Sequence, residues 1–351
     1  TMHHIVSDGW SMGVFVRELA ALYEAYVGGK ESPLPELPIQ YADYAVWQRE
    51  WLSGEVLERQ LAYWRRQLEG APAAIELPAD YTRPVTQIYR GANEGREVGE
   101  AVSARLRQLS RSEGVTLFVT MLAAFKALLW RYGGGAGGAG DVVVGTPVAG
   151  RGRLETEGLI GFFVNTLVLR TKIGDNPTFR ELLKQVRDVV LGGYNHQDLP
   201  FVKLVEAVNP ERQAGYSPLV QVCFFLDMGP MALLELPGLT LSPVDITTGI
   251  AQFDLVLGVS DTGPRLSTNM QYNADVFAPA TVRHMLSLYE LLLCRVVAQP
   301  DVRLDQLSKV LAEADEQQRI MREKTLEELS FGTLRRIKRK VVGESSMETT
   351  A

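Results

Sequence analysis

The residues that could do chemistry are concentrated in one short segment, His3-His4-Ile5-Val6-Ser7-Asp8-Gly9, which sets two adjacent imidazoles before an Asp-Gly pair. Imidazole titrates near neutral pH, so it can take a proton from an amine or alcohol as that nucleophile adds to a carbonyl. On an extended entry, His3 and His4 point in opposite directions, one toward a reaction site and the other into the protein. Asp8 falls at a strand-to-helix turn, where a carboxylate accepts from backbone N–H groups and fixes the loop. Gly9 leaves room where a substrate would approach closely. The plainer reading of these residues is a histidine pair capping a strand and an ordinary helix cap at Asp8, and for an arbitrary His-His pair that reading wins. Zinc is a poorer fit, because adjacent strand residues diverge and no other His-rich or Cys-rich segment offers further ligands.

The elements that must position this segment follow from periodicity. Ser11 can cap a helix carrying Met12, Phe15, Val16, Leu19, Leu22, Tyr23 and Tyr26 at helical spacing, ended by Gly28-Gly29. Helices are expected over Tyr41 to Leu52 and Glu55 to Leu68, with Leu57, Leu61, Trp64 and Leu68 on one stripe of the second. Prolines 72, 78 and 84 mark the best internal boundary. Beyond it come an extended piece near Gln87 to Val98, a helix near Val102 to Ser112, and a helix from Leu117 to Tyr132 that is apolar nearly all round and hence buried. Strands are expected at Asp141 to Gly145, Phe163 to Arg170, Leu219 to Leu226, Phe253 to Ser260 and Leu266 to Tyr272, and helices at Phe179 to Leu191, Val202 to Ala207 and Ala280 to Ala298. Strands mixed with helices, without strict alternation, imply a mixed-sheet α/β or α+β fold. Trp10, Trp47, Trp51, Trp64 and Trp130 lie on apolar stripes and read as core.

Bulk properties narrow the function classes. The 351 residues suit about two domains. A formal charge of -6 argues against nucleic acid as a partner. The basic cluster Arg335 to Lys340 reads as a solvated segment. Cys223 and Cys294 sit in apolar runs, as two buried thiols in a reducing cytoplasm would. No apolar stretch approaches the ~20 residues needed to span a bilayer. Gly133 to Gly140 lacks the Gly-Lys-Ser/Thr of a phosphate loop, and Ser217 is not in a Gly-x-Ser-x-Gly elbow.

His3 to Gly9 resembles the HHxxxDG signature of condensation domains of nonribosomal peptide synthetases, a motif also close to that of chloramphenicol acetyltransferase. Tyr41-Ala42-Asp43-Tyr44-Ala45-Val46-Trp47-Gln48 is similar to the family's next motif, and Ile160-Gly161-Phe162-Phe163-Val164-Asn165-Thr166, ending at Arg170, to the one after. His196-Gln197-Asp198-Leu199-Pro200-Phe201 and Ser217-Pro218-Leu219 follow in the family's order.

The resemblance implies two acetyltransferase-like lobes in a V around a tunnel: residues 1–84 as the remnant of an incomplete first lobe, 85–311 as the second, and 312–351 as a charged tail. Donor and acceptor phosphopantetheine arms, carried by an upstream and a downstream peptidyl carrier domain, would meet near His4, with no cofactor bound directly. His4 would be the base or would orient the amine, with His3 beside it, Asp8 architectural and Gly9 keeping the tunnel open. Asn165 and Trp10 would position substrate, and His196 would brace the fold. The family carries a segment before the His motif whose Arg pairs with the motif Asp; that segment is not present here. Asp8 is therefore expected to lack its partner, and the chain to be weakly active at best and marginally stable. Val202 stands where the motif has an acid. Epimerisation domains share the motif but are disfavoured by the Gly161 to Thr166 run. Two alternatives stay open: an ester-forming acyltransferase, and a non-catalytic docking domain that recruits a tailoring oxygenase, with an adenylation or oxygenase module adjacent.

Overall fold

In the computed structural model, the described residues are 2–84, 89–133, 140–174, 176–209, 215–227, 236–239 and 249–320. Most of the Gly133 to Gly140 loop and all of the Arg335 to Lys340 cluster lie outside them. The chain opens with a 3₁₀ turn at His4–Val6 and continues through α1 (Gly9–Val27), α2 (Tyr41–Trp51), α3 (Gly54–Leu68), β1 (Gly91–Glu97), α4 (Glu100–Ser112) and α5 (Leu117–Tyr132). It goes on through β2 (Asp141–Val148), α6 (Leu154–Glu157), β3 (Asn165–Lys172), α7 (Phe179–Tyr194), α8 (Phe201–Val208), β4 (Val222–Asp227), β5 (Leu255–Ser260), β6 (Ser267–Asn273) and α9 (Pro279–Ala298). Residues 304–320 are also helical.

The strands form one six-stranded sheet in the order β1-β6-β5-β4-β2-β3. The β4–β5 and β2–β4 pairs are parallel and the other three antiparallel, so the mixed-sheet expectation holds. Every strand of this sheet lies in the expected second lobe, and the described part of the first contributes helices. Strand β2 runs three residues beyond its expected end at Gly145. The glycine does not stop the strand. It admits β4, because a Cβ there would lie 2.6 Å from Val220 and 2.9 Å from the Cys223 sulfur.

Helix α5 is buried from Val119 to Trp130, as its all-round apolar sequence requires, and it packs on α7, α9 and the sheet. Leu61, Trp64 and Leu68 of α3 enter the same core as the sheet residues, so packing does not change at residue 84. Trp64 and Trp130 are core. Trp47 and Trp51 are only half-buried, and Trp10 is 46% exposed, contrary to the expectation for all five. The expected start of the tail at 312 falls inside a helix, where Asp315 pairs with Arg131 and His284. Cys223 is buried, but Cys294 is only partly so, and both are free thiols. No single helix among the described residues is long and apolar enough to cross a membrane.

Lys126 breaks the apolar character of α5. It is fully buried, and its Nζ donates to Leu169 O at 2.5 Å, Thr171 Oγ1 at 2.8 Å and Val142 O at 3.4 Å. With no carboxylate among these partners, burial pulls its pKa from 10.5 down to about 7. Between about pH 7 and 10 the unfolded chain therefore binds the extra proton, and stability rises with pH across that window; below it both states are charged and the penalty is complete. Lys126→Met should flatten the rise in urea midpoint between about pH 7 and pH 9. An unchanged rise in the Met variant would assign the effect to another group.

Candidate active site

The His segment is a 3₁₀ turn rather than an extended strand. This changes what the two histidines do. His3 caps the turn, its Nδ1 accepting from the Ile5 amide at 3.0 Å. His4 Nδ1 lies 2.6 Å from the Ser7 carbonyl oxygen. A carbonyl only accepts, so Nδ1 of His4 is the donor, and in the neutral ring Nε2 is the nitrogen with the lone pair. The bonds thus distinguish the two rings: His3 accepts at Nδ1, whereas His4 has its ring orientation set by Ser7 O. Both residues are exposed, so neither packs into the protein, contrary to the expectation that one of them would.

Asp8, and not Ser11, is the N-cap of α1. Its Oδ1 accepts from the Ser11 amide at 2.8 Å, and its Oδ2 from the amides of Phe163 at 2.9 Å and Val164 at 3.2 Å. The Ser11 hydroxyl sits 2.7 Å from Asp8 Oδ1 and 2.8 Å from Gly161 O, sharing its one proton between them, and accepts from the Gly161 amide at 3.1 Å. The expectation that Asp8 lacks an arginine is wrong. Arg151, in the loop after β2, places NH2 3.3 Å from Asp8 Oδ1 and 2.8 Å from Ser11 Oγ, with both charged side chains almost wholly buried. Burial alone would raise the Asp8 carboxyl. The Ser11 hydroxyl and amide, the Phe163 amide and the Arg151 charge outweigh it and hold Asp8 below the usual range. Asp8 is an ionised tie between the start of α1 and the 161–164 loop.

That loop is clamped from a third side by α2. Tyr41 Oη donates to Phe162 O at 2.8 Å, and its ring meets Phe163 edge-on at 5.0 Å. Tyr44 packs on Phe163 as well, and Arg151 lies 4.0 Å over the Phe163 ring. Gly161 is where Tyr41 comes closest: a Cβ there would fall 2.2 Å from the tyrosine ring. Gly161→Ala must push Tyr41 or the loop away, at a cost of about 1–3 kcal/mol. Loss of stability in a urea titration together with loss of turnover is the expected result; a variant as stable as the parent would show the contact to be slack.

The remaining candidates divide. A Cβ on Gly9 would meet nothing within 4 Å, so the space before the motif is open. Trp10 donates from Nε1 to Glu157 O at 2.9 Å, fastening α1 to α6; its contacts position the helix rather than the core. Asn165 is half-buried and committed to the protein. Its Nδ2 donates to Gln197 O at 2.9 Å and Leu199 O at 2.8 Å, and its Oδ1 accepts from the Phe201 amide at 2.9 Å. Any positioning by Asn165 therefore acts through the 197–201 loop. His196 stacks on Tyr63 at 3.8 Å between ring centres and donates from Nδ1 to Gly192 O at 2.9 Å, a bracing role. Arg170 is buried and donates to Gln67 O, Glu69 O and Gly70 O, closing the C-terminus of α3, and to Asp141. Val202 is 66% exposed. Among the described residues no three His, Cys, Asp or Glu side chains converge as metal ligands.

Arg151, Ser11, Tyr41 Oη and Phe162 were not singled out as site groups from sequence. The one local signal for Arg151 is its neighbour Gly150, whose φ of +66° and proximity to Phe163 O mark a tight turn.

Comparison with known proteins matches this geometry to a family. The family model described as the Condensation domain matches residues 1–320. The chain is 46% identical over 318 residues to a linear gramicidin synthase protein of Brevibacillus parabrevis, covering 90% of this chain but 4% of that protein. Among solved structures, it is similar to the X-domain in its complex with OxyB from teicoplanin biosynthesis, with a TM-score of 0.78 and 28% identity over 87% of this chain and 68% of that one. A four-domain nonribosomal peptide synthetase bound to AMP and glycine matches with a TM-score of 0.76 and 27% identity, over 86% of this chain and 24% of that one. With the His4 turn, the Asp8 tie and the whole sheet inside the matched span, the chain belongs to the condensation-domain family.

Proposed function

We propose that the chain forms amide bonds, joining an acyl group held as a thioester on one carrier domain to the amine of an aminoacyl group held on another. The single observation that carries this reading is the exposed His4 imidazole, with Nδ1 tied to Ser7 O and Nε2 left as the ring nitrogen that can act as a base. The amine nitrogen adds to the thioester carbonyl, and His4 Nε2 takes the proton the nitrogen sheds. The tetrahedral centre then collapses, the C–S bond breaks, and the proton goes to the departing thiolate. Phosphopantetheine on the carrier domains is part of the substrate in this scheme, and no residue here is called on to bind a further cofactor.

The chain spans 4% of the gramicidin synthase protein it resembles, so substrates and neighbours belong to this proposal. The partners are a donor carrier upstream and an acceptor carrier downstream. A reducing, cytoplasmic setting suits the two free thiols. Likeness to an X-domain solved in complex with OxyB supports a second reading, a docking surface for a tailoring oxygenase.

A single-turnover assay separates the readings. The full-length protein, with donor thioester loaded, is offered carrier-bound amine or alcohol acceptors. Amide product is expected with the amine. Ester alone would move the chain to the ester-forming acyltransferases, and no product with either acceptor would leave the docking reading.

A further inference from the structure

Phe162 is the exposed side chain of the clamped loop, and nothing above employs it. Its backbone is immobilised on every side. The preceding residue, Gly161, is held through both N and O by Ser11 Oγ. Its own carbonyl accepts from Tyr41 Oη, and the next two amides donate to Asp8. The ring itself is 41% exposed. Other large apolar side chains are equally exposed, so what sets Phe162 apart is its rigid main chain and the group it stands beside.

The ring's neighbour is the proposed base. Phe162 and His4 stand edge-to-face, with centroids 5.0 Å apart and planes at 89°. From the size of an imidazole, no ring atom of His4, Nε2 included, is more than about 6 Å from the centre of the phenyl ring. Ser7 O holds the other edge of His4, and Tyr41 Oη with Asp8 holds the strip that bears Phe162. Base and aromatic ring are thus fixed relative to each other by separate sets of bonds. A nucleophile whose nitrogen reaches Nε2 has this ring within reach of its α-substituent.

We propose that Phe162 is a specificity-determining residue, an apolar wall beside His4 that limits the size of the side chain next to the attacking amine. The inference rests on the acyl-transfer role of His4 and concerns which nucleophile that base serves. An apolar wall cannot discriminate by hydrogen bonding, only by bulk and contact, which confines its effect to the modest range typical of a hydrophobic pocket.

The test compares two acceptors in the full-length protein, glycyl and a β-branched aminoacyl group, each loaded on the acceptor carrier. The readout is the ratio of their kcat/KM values in the parent, Phe162→Leu and Phe162→Ala. The ratio of branched to glycyl acceptor should rise about 10-fold or more in the Ala variant, with Leu between it and the parent. A ratio within twofold of the parent in both variants would overturn the proposal. The Leu variant guards against misfolding of the Ala variant, and equal urea midpoints confirm it. His4→Ala in the same assay keeps the two claims apart. If that variant still makes amide, the role of His4 falls; if it is dead while the ratio stays flat, only the role of Phe162 falls.

Discussion

His4→Ala in the full-length protein should lower the rate of amide formation by at least ~10²-fold, the lower end of what a positioned general base contributes. The loss should appear in kcat rather than KM, because the proton moves only as the amine adds and no ground-state contact is removed. His3→Ala should cost less. The His3 side chain holds one bond, from the Ile5 amide, and acts on the site by shaping the turn that carries His4. The two variants side by side therefore test the assignment made from their bonding. Equal losses would mean that the turn, and not the Nε2 lone pair, is what matters. Unchanged product formation in His4→Ala would remove the chain from catalysis and leave the docking reading.

Asp8→Asn is expected to be the most damaging change to stability. Asp8 receives the Ser11, Phe163 and Val164 amides on two oxygens and faces a buried guanidinium. An amide side chain keeps one oxygen and turns N–H groups toward some of those donors, while Arg151 is left as a buried charge without its counter-ion. Removing one member of such a pair costs about 3–5 kcal/mol, a large share of the ~5–15 kcal/mol that holds a domain together. The urea midpoint should fall accordingly. Arg151→Gln added to Asp8→Asn should recover part of the loss, since the uncompensated charge is then gone. A fall below about 1 kcal/mol would place this pair with the weak surface bridges.

The pH dependence of the same pair has a definite sign. Asp8 is held below its usual range in the folded state, so the stability it contributes is complete above the unfolded carboxyl value of about 3.9 and disappears as pH falls through the lower, folded value. The acid limb of unfolding should therefore be steeper in the parent than in Asp8→Asn. The Lys126 effect runs in a separate window, above neutrality, and the two can be measured in one pH series.

Much of the fold was legible in local patterns. The stripe Leu61, Trp64 and Leu68 placed α3, and unbroken apolarity placed α5 as a buried helix, because a helix repeats its contacts every three to four residues. Extended runs with β-branched residues placed β3 to β6 within a few residues. The misreadings arise where tertiary contact overrides local pattern. Gly145 looked like a strand end and is instead a thin spot where β4 approaches β2. His3-His4 looked extended; His3 is, but His4 opens a 3₁₀ turn, stabilised by side chain to main chain bonds within the motif.

By itself, the sequence determined which segments matter and in what order they come: a histidine pair before Asp-Gly, an aromatic helix segment, and a Gly-Phe-Phe-Val-Asn strip running into a strand. Through the family resemblance it pointed to His4 over His3, but it could not show what each ring nitrogen touches, since identical side chains differ only in their surroundings. Nor could it show that Arg151, more than a hundred residues on, answers Asp8, or that the Tyr41 hydroxyl holds Phe162 against His4. Local periodicity reports which face of an element is apolar. The direction of a hydrogen bond between distant residues depends on where the folded sheet and helices bring their backbones, and only the tertiary structure decides that.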